Sequence, residues 1–271
     1  MSLQWNRSVA LSVGTRSVQG SLYAGWPGRK LLARASRVID APPQPTDESL
    51  PPAAAADPQS SALDDVLSEL AASLPLRGAR LVAELAEELI LLDVAEGDYG
   101  GASDRQLQSI ATACVAELLG DAASDQALRW KLQPDLRHLL ICAIARRDLE
   151  ALEQAASRHG LQLASLQAGF CAHWNRHADS LAGGSGVFGV TSGAHAIVAC
   201  AARGVITAVS SGPCEEDNAT TNLLDERVNR LLASTGLDAQ NVPAFVVVTA
   251  ASQTRSFSPR WTVLTEPPEA G

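Results

Sequence analysis

The chain has little aromatic surface and no apolar run long enough to cross a membrane. Aromatic residues make up 4% of the 271 residues and hydrophobic residues 46%, so the core is expected to be mostly aliphatic. A membrane-spanning helix needs about 20 consecutive apolar residues, and no opening stretch has the charged-then-apolar pattern of a secretion signal. These absences predict a cytoplasmic protein without direct membrane insertion.

Paired cysteine motifs, which mark zinc sites and redox enzymes, are also absent. The five cysteines are an odd, dispersed set with no C-x-x-C spacing. They are Cys114, Cys142, Cys171, Cys200 and Cys214. Such cysteines are typical small buried side chains of a reducing compartment. We therefore expect free thiols, with neither a disulfide framework nor a cysteine metal site.

The charge balance excludes nucleic acid as the main partner, because the net charge is −9 and phosphate binding needs a surplus of cations. Before Asp40, however, the chain has no acidic side chain and six basic ones. These are Arg7, Arg16, Arg29, Lys30, Arg34 and Arg37. The segment fits a face for an acidic partner or anionic lipid, or, more simply, solvated cations on the outer side of a sheet.

Two parts of the chain show the short alternating runs that predict β-strands. The predicted strands are Val9–Val13, Ser17–Tyr23 and Leu31–Val38 in the first part and Val187–Thr191, Ala194–Ala201 and Val205–Ser210 in the second. Small residues separate the strands in both parts, and helices and further strands follow each part. The same three-strand order is therefore predicted twice.

The segment between the two parts is predicted to be mixed α/β. Residues 41–61, rich in Pro, Ala, Ser and Asp, predict a mobile linker, because they offer little apolar surface to bury. Arg80–Val94 has the composition of a helix, but we favour two strands with a break near Glu87. Ser103 is predicted to cap a helix over Asp104–Leu119, which Gly120 ends.

The remaining elements are assigned from the same patterns. Predicted helices cover Ala62–Ser73, Asp148–His159, Ala168–Leu181 and Asn222–Ser234, and predicted strands cover Leu128–Leu132, Leu139–Ala145, Leu161–Leu166, Phe245–Thr249 and Trp261–Leu264.

Gly184–Gly189 matches a dinucleotide-binding G-x-G-x-x-G in spacing only. A motif that binds a pyrophosphate follows a strand and opens a helix, so that the helix N-terminus faces the phosphates. Here a predicted helix precedes the glycines and a predicted strand follows them. We therefore interpret residues 183–186 as a joint between two lobes.

The duplicated turns, the hairpin Cys200–Val205 and the helix-strand-helix unit over residues 148–177 carry a resemblance to a known family. When the sequence is aligned with itself so that Gly14 matches Ser192, the two three-stranded runs agree in order. The chain resembles the PilM-type proteins of type IV pilus assembly and their relatives in MSHA-pilus and type II secretion systems. The likeness covers most of residues 8–251 and is one of pattern rather than of a single motif.

The resemblance implies an α/β fold of the duplicated actin-like ATPase (ribonuclease H-like) class with two lobes. Residues 1–182 would form the first lobe, with an inserted subdomain and the linker at 41–61. Residues 183–271 would form the second lobe. Active members of this class are expected to carry an aspartate in each duplicated turn, because Mg²⁺ prefers hard oxygen ligands.

In this sequence those two aspartate positions are Ser12 and Val190, and a late Gly-Gly is replaced by residues 249–252, Thr-Ala-Ala-Ser. The resemblance therefore implies a pseudo-ATPase with no catalytic residue, metal or cofactor. The backbone around the vestigial phosphate turns could still bind an anion, so weak ATP binding stays open. The residues of these turns are Gly14, Thr15, Ser192 and Gly193.

The implied function is a scaffold on the cytoplasmic side of an inner-membrane platform, which binds the cytoplasmic tail of a membrane partner. Arg16, Arg29 and Arg34 are the candidate tail-binding residues if that tail is acidic. An alternative is a divergent ATPase or sugar-kinase-like enzyme, whose metal carboxylates would come from Asp40, Asp93 or Asp98. A nucleotide sensor without turnover is a third hypothesis.

Two further constellations have simpler interpretations. His173 and His177 have the i, i+4 spacing of a zinc site, but Cys171 points elsewhere on a helix. We expect an amphipathic helix with the histidines near the surface. Ser192 or Ser185 with His195 could suggest a hydrolase, but the G-x-S-x-G elbow is missing.

Overall fold

The computed structural model describes residues 7–25, 30–39, 58–181, 185–192, 195–214, 220–235, 242–249 and 257–264. These residues divide into two units. Unit 1 holds the described residues up to Leu85 and Arg147–Gln167, and unit 2 holds Ala86–Arg146 and the described residues from Ala168 onward. The predicted lobe boundary at residues 182 and 183 falls outside the described residues and stays a prediction.

The elements follow in chain order. They are β1 (Arg7–Val13), β2 (Ser17–Ala24), β3 (Lys30–Val38), α1 (Pro58–Ser73), β4 (Arg80–Leu85), β5 (Ile90–Glu96), α2 (Asp104–Leu119), β6 (Gln126–Leu132), β7 (His138–Ala145), α3 (Arg146–Arg158), β8 (Gln162–Ala168), α4 (Gly169–Leu181), β9 (Gly186–Ser192), β10 (His195–Ala202), β11 (Val205–Pro213), α5 (Thr220–Thr235), β12 (Ala244–Val248) and β13 (Trp261–Leu264). Short 3-10 segments lie at Glu87–Leu89 and Gly120–Asp125.

The two five-stranded sheets have the same strand order. The first runs β3-β2-β1-β4-β8 and the second β11-β10-β9-β12-β13. In the first sheet, β1 pairs antiparallel with β2 and parallel with β4. In the second sheet, β9 pairs antiparallel with β10 and parallel with β12. The predicted duplication is therefore confirmed.

Helix α1 packs against β2 and β3 of the first sheet. A methyl group added at Gly20 would lie 2.7 Å from Val66 Cγ1 and 2.9 Å from Leu70 Cδ1, so a glycine is needed for this close approach. The helix begins at Pro58, and proline suits the first position of a helix because its missing N–H needs no partner there. The linker prediction is thus wrong for residues 58–61, while residues 41–57 lie outside the described residues.

The second five-stranded sheet is buried on both faces at its central strand, because every residue of β9 except Ser192 is buried. On one face, α5 covers an apolar cluster that includes Val198, Val228 and Val246. On the other face, Phe188 meets Phe170 and Trp174 of α4, with ring centroids 5.6 and 5.5 Å away. Helix α4 precedes β9, so the helix-glycine-strand order is confirmed.

A three-stranded sheet of order β5-β7-β6 completes unit 2. Helix α2 covers one of its faces through Leu107, Ala111 and Val115. As predicted, Ser103 caps this helix through a reciprocal pair of bonds with Gln106. Gly120 follows the helix with φ of 57°, a conformation that glycine adopts without strain.

The ambiguous segment Arg80–Val94 is two strands, as predicted, and not a helix. The 3-10 turn at Glu87–Leu89 separates β4 from β5. In β4, Leu81, Ala83 and Leu85 are buried while the residues between them are not, and this alternation requires a strand period of two.

No helix in the described part of the chain is both long and apolar enough to span a bilayer.

Candidate functional site: the two duplicated hairpins

The first hairpin joins β1 to β2 and holds the predicted phosphate turn. The Gly14 N–H donates to the Ser17 carbonyl at 2.9 Å and so closes the turn on itself. Thr15 and Arg16 are exposed. The Arg16 carbonyl accepts from the Ile39 N–H at 2.8 Å, which fixes the end of β3 beside this turn.

Ser12, at the position where the resemblance implies an aspartate, is exposed near the end of β1. Its strand neighbours are Gln19 on β2 and Glu84 on β4. Residues directly opposite one another in a sheet project to the same face, so a carboxylate stands one strand away from Ser12. Sequence reasoning missed Glu84, because only the β1–β4 register brings it beside Ser12.

The second hairpin joins β9 to β10 in unit 2. Val190 is fully buried, and its strand neighbours are Ile197 and Val247. This row of three aliphatic side chains offers no metal ligand. Ser192 is half-buried and pairs with His195 across the hairpin, while Gly193 lies outside the described residues.

The registers place Ser12 and Val190 at matching points of the parallel pairs. The last paired position of β1 with β4 joins Val13 to Leu85. The last paired position of β9 with β12 joins Thr191 to Val248. Ser12 and Val190 each come one residue earlier. Of the four residues that replace the late Gly-Gly, Thr249 is described, and its N–H donates to the Thr191 carbonyl at 3.2 Å.

The acids considered for a metal site lie elsewhere. Asp93 is on β5, opposite Ile141 of the three-stranded sheet, and Asp98 follows that strand. Asp40 lies outside the described residues. Neither described aspartate belongs to a five-stranded sheet.

His195 interacts with a serine that the hydrolase hypothesis did not name. Its Nε2 atom lies 2.9 Å from Ser211 Oγ on the neighbouring strand β11. Burial lowers the pKa of His195, and the Glu88 carboxylate opposes this effect. This contact joins the start of β10 to β11.

The predicted surface position of His173 is wrong, since His173 is 2% exposed. It lies three residues after Phe170 and one before Trp174, on the helix face that packs against β9. Residues three and four apart share one face of a helix, so packing Phe170 inward also takes His173 inward. Among the described residues, no group of three His, Cys, Asp or Glu side chains is placed to hold a metal ion.

The electrostatic surroundings of His173 keep it neutral. Burial lowers its pKa to about 4, with further lowering by Arg176 and His177. Arg176 Nη1 lies 3.1 Å from Nδ1 of His173, where a neutral imidazole nitrogen can accept.

All five thiols are free, and burial raises the pKa of Cys142 to about 12 and that of Cys171 to about 11.

We expect His173 to make unit 2 less stable as the pH falls. The unfolded chain takes up the proton near the ordinary pKa of 6.5, whereas the folded chain resists it until about pH 4. Between these values the unfolded state binds more protons, so the free energy of unfolding falls as the pH is lowered. The full effect of a shift from 6.5 to about 4 is about 3 kcal/mol.

Urea denaturation at pH 7.5 and 4.5 measures this effect. The loss of stability between the two pH values should be smaller in His173→Gln than in the wild type, because the carboxylates titrate in both proteins. An imidazole NMR titration should give a midpoint near 4 for His173. A midpoint above 6, or equal losses in both proteins, would contradict the assignment.

The two described tail-binding candidates, Arg16 and Arg34, belong to unit 1. Arg16 lies in the first hairpin turn and Arg34 on β3, both exposed, and Arg29 lies outside the described residues. Arg37 of β3 forms an ion pair with Glu69 of α1 at 2.7 Å, and both side chains are nearly half exposed. Lys30, at the start of β3, is exposed.

Solved structures show that this duplicated architecture is the two-lobed actin-like ATPase fold. The PilM–PilN type IV pilus biogenesis complex matches over 95% of this chain and 88% of that chain, with a TM-score of 0.65 and 16% identity. The cytoplasmic domain of EpsL, an inner-membrane component of the Vibrio cholerae type II secretion system, matches over 97% and 90%, with a TM-score of 0.54 and 10% identity.

A Bacteroides thetaiotaomicron protein with an actin-like ATPase fold and unknown function matches over 95% of this chain and 85% of that chain, with a TM-score of 0.56 and 9% identity. No protein-family model and no curated protein matches the sequence. At these identities the comparisons show the fold alone.

Proposed function

We propose that the chain is a non-catalytic actin-like scaffold of a pilus or type II secretion assembly platform. In this role it lies at the cytoplasmic face of the inner membrane and binds the cytoplasmic tail of a membrane partner. The observation that carries the non-catalytic part is the second hairpin, where fully buried Val190 stands between Ile197 and Val247. A Mg²⁺ site needs oxygen ligands, and this row supplies none.

The comparisons support the scaffold part of the proposal. Two solved structures that share the fold over at least 95% of this chain are a PilM–PilN complex and a component of an inner-membrane secretion system. The basic residues of unit 1 would suit an acidic tail, with Arg16, Arg29 and Arg34 as the candidate contacts. No cofactor is required for such a role, and a residual affinity for ATP would be incidental.

One observation favours the enzymatic alternative enough to test it. Glu84 lies beside Ser12 and could supply a carboxylate to Mg²⁺ at the first hairpin. The second hairpin, however, would still lack its acid. We therefore expect Glu84 to be insufficient for ATP hydrolysis.

Calorimetric titration with ATP, with and without Mg²⁺, tests this alternative directly. We expect no Mg²⁺-dependent heat at millimolar ATP and no phosphate release, and the same result for Glu84→Gln. Micromolar binding that requires Mg²⁺ and is lost in Glu84→Gln would contradict the pseudo-ATPase proposal. Loss in a matched exposed-acid variant, Glu117→Gln, would instead indicate a nonspecific charge effect.

Photo-crosslinking in the protein's own cells tests the scaffold role. A benzophenone amino acid is placed at exposed positions in both units: Ser36, Thr112 and Val263. We expect at least one position to give an adduct with an integral membrane protein, and mass spectrometry to map the linkage to that protein's cytoplasmic tail. If none of these positions and none of their neighbours gives a membrane-protein adduct, the scaffold proposal is wrong.

A further inference from the structure

Strand β3 is one of the two outer strands of the first sheet, and among the described residues its outer edge is unpaired. It has nine residues and pairs with β2 on one side. No described strand pairs with its other side. Six of its nine residues are exposed, against three of the seven residues of β8, so β3 is the least covered strand of its sheet. An open edge of this kind presents backbone N–H and C=O groups to any extended chain.

The segment of the chain that contains β3 differs in the sign of its charge from the rest of the sequence. Residues 1–39 carry six basic and no acidic side chains. Since the whole chain has a net charge of −9, a segment at +6 leaves −15 for the remainder. Three of the six cations lie on β3 itself: Lys30, Arg34 and Arg37.

The cations of β3 project to both faces of the sheet. Arg34 pairs with Ser21 and Arg37 with Val18, and alternate strand residues point to opposite faces. Arg37 reaches Glu69 of α1, which identifies its face as the helix-covered one. Arg34 therefore lies on the opposite face, so each face of the strand carries one arginine, and Arg37 is already paired with Glu69.

We infer that the open edge of β3 is a docking site for an acidic, extended segment of a partner protein, which adds to the sheet as a further strand. The inference rests on the proposed scaffold function and specifies one surface for it. Backbone hydrogen bonds would supply affinity, and acidic side chains on both faces of the added strand would meet Arg34 and Arg37. Two acids an odd number of positions apart have this geometry.

Other occupants fit this edge less well. A second copy of the chain would place two basic β3 strands side by side, and like charges opposite one another destabilise a sheet. A flat anionic membrane could meet the cations of one face but not those of both. Exposed Leu31 (39%) and Val38 (76%) near the two ends of β3 add apolar contact for a segment that runs along the whole strand.

The first test measures binding of a defined probe by fluorescence anisotropy at low salt. The probe is a labelled nine-residue peptide with two glutamates three positions apart among threonine and valine. We expect binding that weakens with added salt, and roughly tenfold weaker binding to the double variant Arg34→Glu, Arg37→Glu, because opposed charges are reversed at the contact. Thermal melting checks that the variant is folded.

The matched control changes the same charge on another outer strand. Arg129 and Lys131 are exposed on β6, the outer strand of the three-stranded sheet. The double variant Arg129→Glu, Lys131→Glu should bind the probe within about twofold of the wild type. Equal losses in both double variants would overturn the inference, because the probe would then sense only the net charge.

The second test needs no protein variant. Two versions of the probe carry N-methyl groups on alternate residues, one set on each edge of the extended peptide. Strand addition uses the N–H groups of one edge, so one version should lose binding and the other should keep it. If both versions bind equally well, or if anionic phospholipid vesicles bind the protein through Arg34 and Arg37 while the probe does not, strand addition is wrong.

The crosslinking experiment separates this inference from the proposed function. If membrane-protein adducts form in the Arg34→Glu, Arg37→Glu protein at wild-type yield, the β3 inference is wrong and the scaffold proposal stands. If the probe shows the full pattern but no membrane-protein adduct forms at any position, the β3 inference stands and the scaffold proposal is wrong.

Discussion

Phe188→Ala is expected to destabilise unit 2 by about 3–5 kcal/mol, the usual cost of truncating a fully buried phenylalanine. Phe188 has no exposed surface and lies on the central strand of the second five-stranded sheet. Its ring packs edge-on against Phe170 and Trp174 of α4, and such aromatic pairs add to the energy of burial. The substitution would leave a cavity between α4 and β9, which neither rigid element can close.

Urea denaturation followed by tryptophan fluorescence measures this loss, because Trp174 contacts Phe188 directly. Leu118→Ala is the control. Leu118 is 53% exposed at the end of α2 in the same unit, so its truncation should change stability by less than about 0.5 kcal/mol. If Phe188→Ala costs no more than this control, α4 does not pack on β9 as described. Since the chain has two units, each transition must be followed separately.

Gln133→Leu is expected to have the second largest effect, about 2–4 kcal/mol. The side chain of Gln133 is buried after β6 and makes two bonds to the backbone of Ile206 on β11. Its Nε2 donates to the Ile206 carbonyl at 2.6 Å, and its Oε1 accepts from the Ile206 N–H at 2.8 Å. Leucine has a similar size but leaves both backbone groups buried without these partners, and each such group costs about 1–3 kcal/mol.

The consequence of Gln133→Leu should also be local. β11 is an outer strand, and the Gln133 amide takes the place that a neighbouring strand would fill at Ile206. Native hydrogen exchange should therefore show faster exchange of the Ile206 amide than in the wild type. Gln108→Leu is the control, because Gln108 accepts a bond from Trp130 at the exposed surface of the same unit, and it should cost less than about 1 kcal/mol. Equal costs for the two variants would contradict a special role of Gln133.

The two large stability effects and the proposed binding contacts lie in different units of the chain. Both large effects fall in unit 2, at Phe188 and Gln133. The side chains that the proposals use for binding, at Ser12, Glu84 and the cations of β3, lie in unit 1. We therefore expect variants of unit 2 to affect folding more than partner binding, and variants of β3 to do the reverse.

Particular residues show where sequence reasoning succeeded. Ser103 and Gly120 bound α2 because a capping serine and a left-handed glycine act locally. The break at Glu87–Leu89 was predictable because two short aliphatic runs flank a pair of acids, and the apolar alternation of β4 has a period of two. The helix-glycine-strand order around Gly184–Gly189 argues against a dinucleotide-binding turn, because such a turn follows a strand and opens a helix.

Other residues show where sequence reasoning failed. The amphipathic pattern of α4 predicts the histidines near the surface, yet the packing of Phe170 on β9 carries His173 inward on the same helix face. Glu84 was missed because it is far from Ser12 in sequence. The serine beside His195 is Ser211, which only the β10–β11 register brings within hydrogen-bonding distance.

The strands and helices, the duplicated three-strand start and the lack of an acid at Ser12 and Val190 follow from residue type and from spacing along the chain. The choice of neighbouring strands, the unpaired edges of the described sheets and the burial of particular polar groups arise from contacts made in the folded protein. Strand register, the close approach of α1 at Gly20 and the bond of Gln133 to Ile206 are contacts between residues far apart in sequence. Their energies depend on distance and burial, which no local pattern encodes.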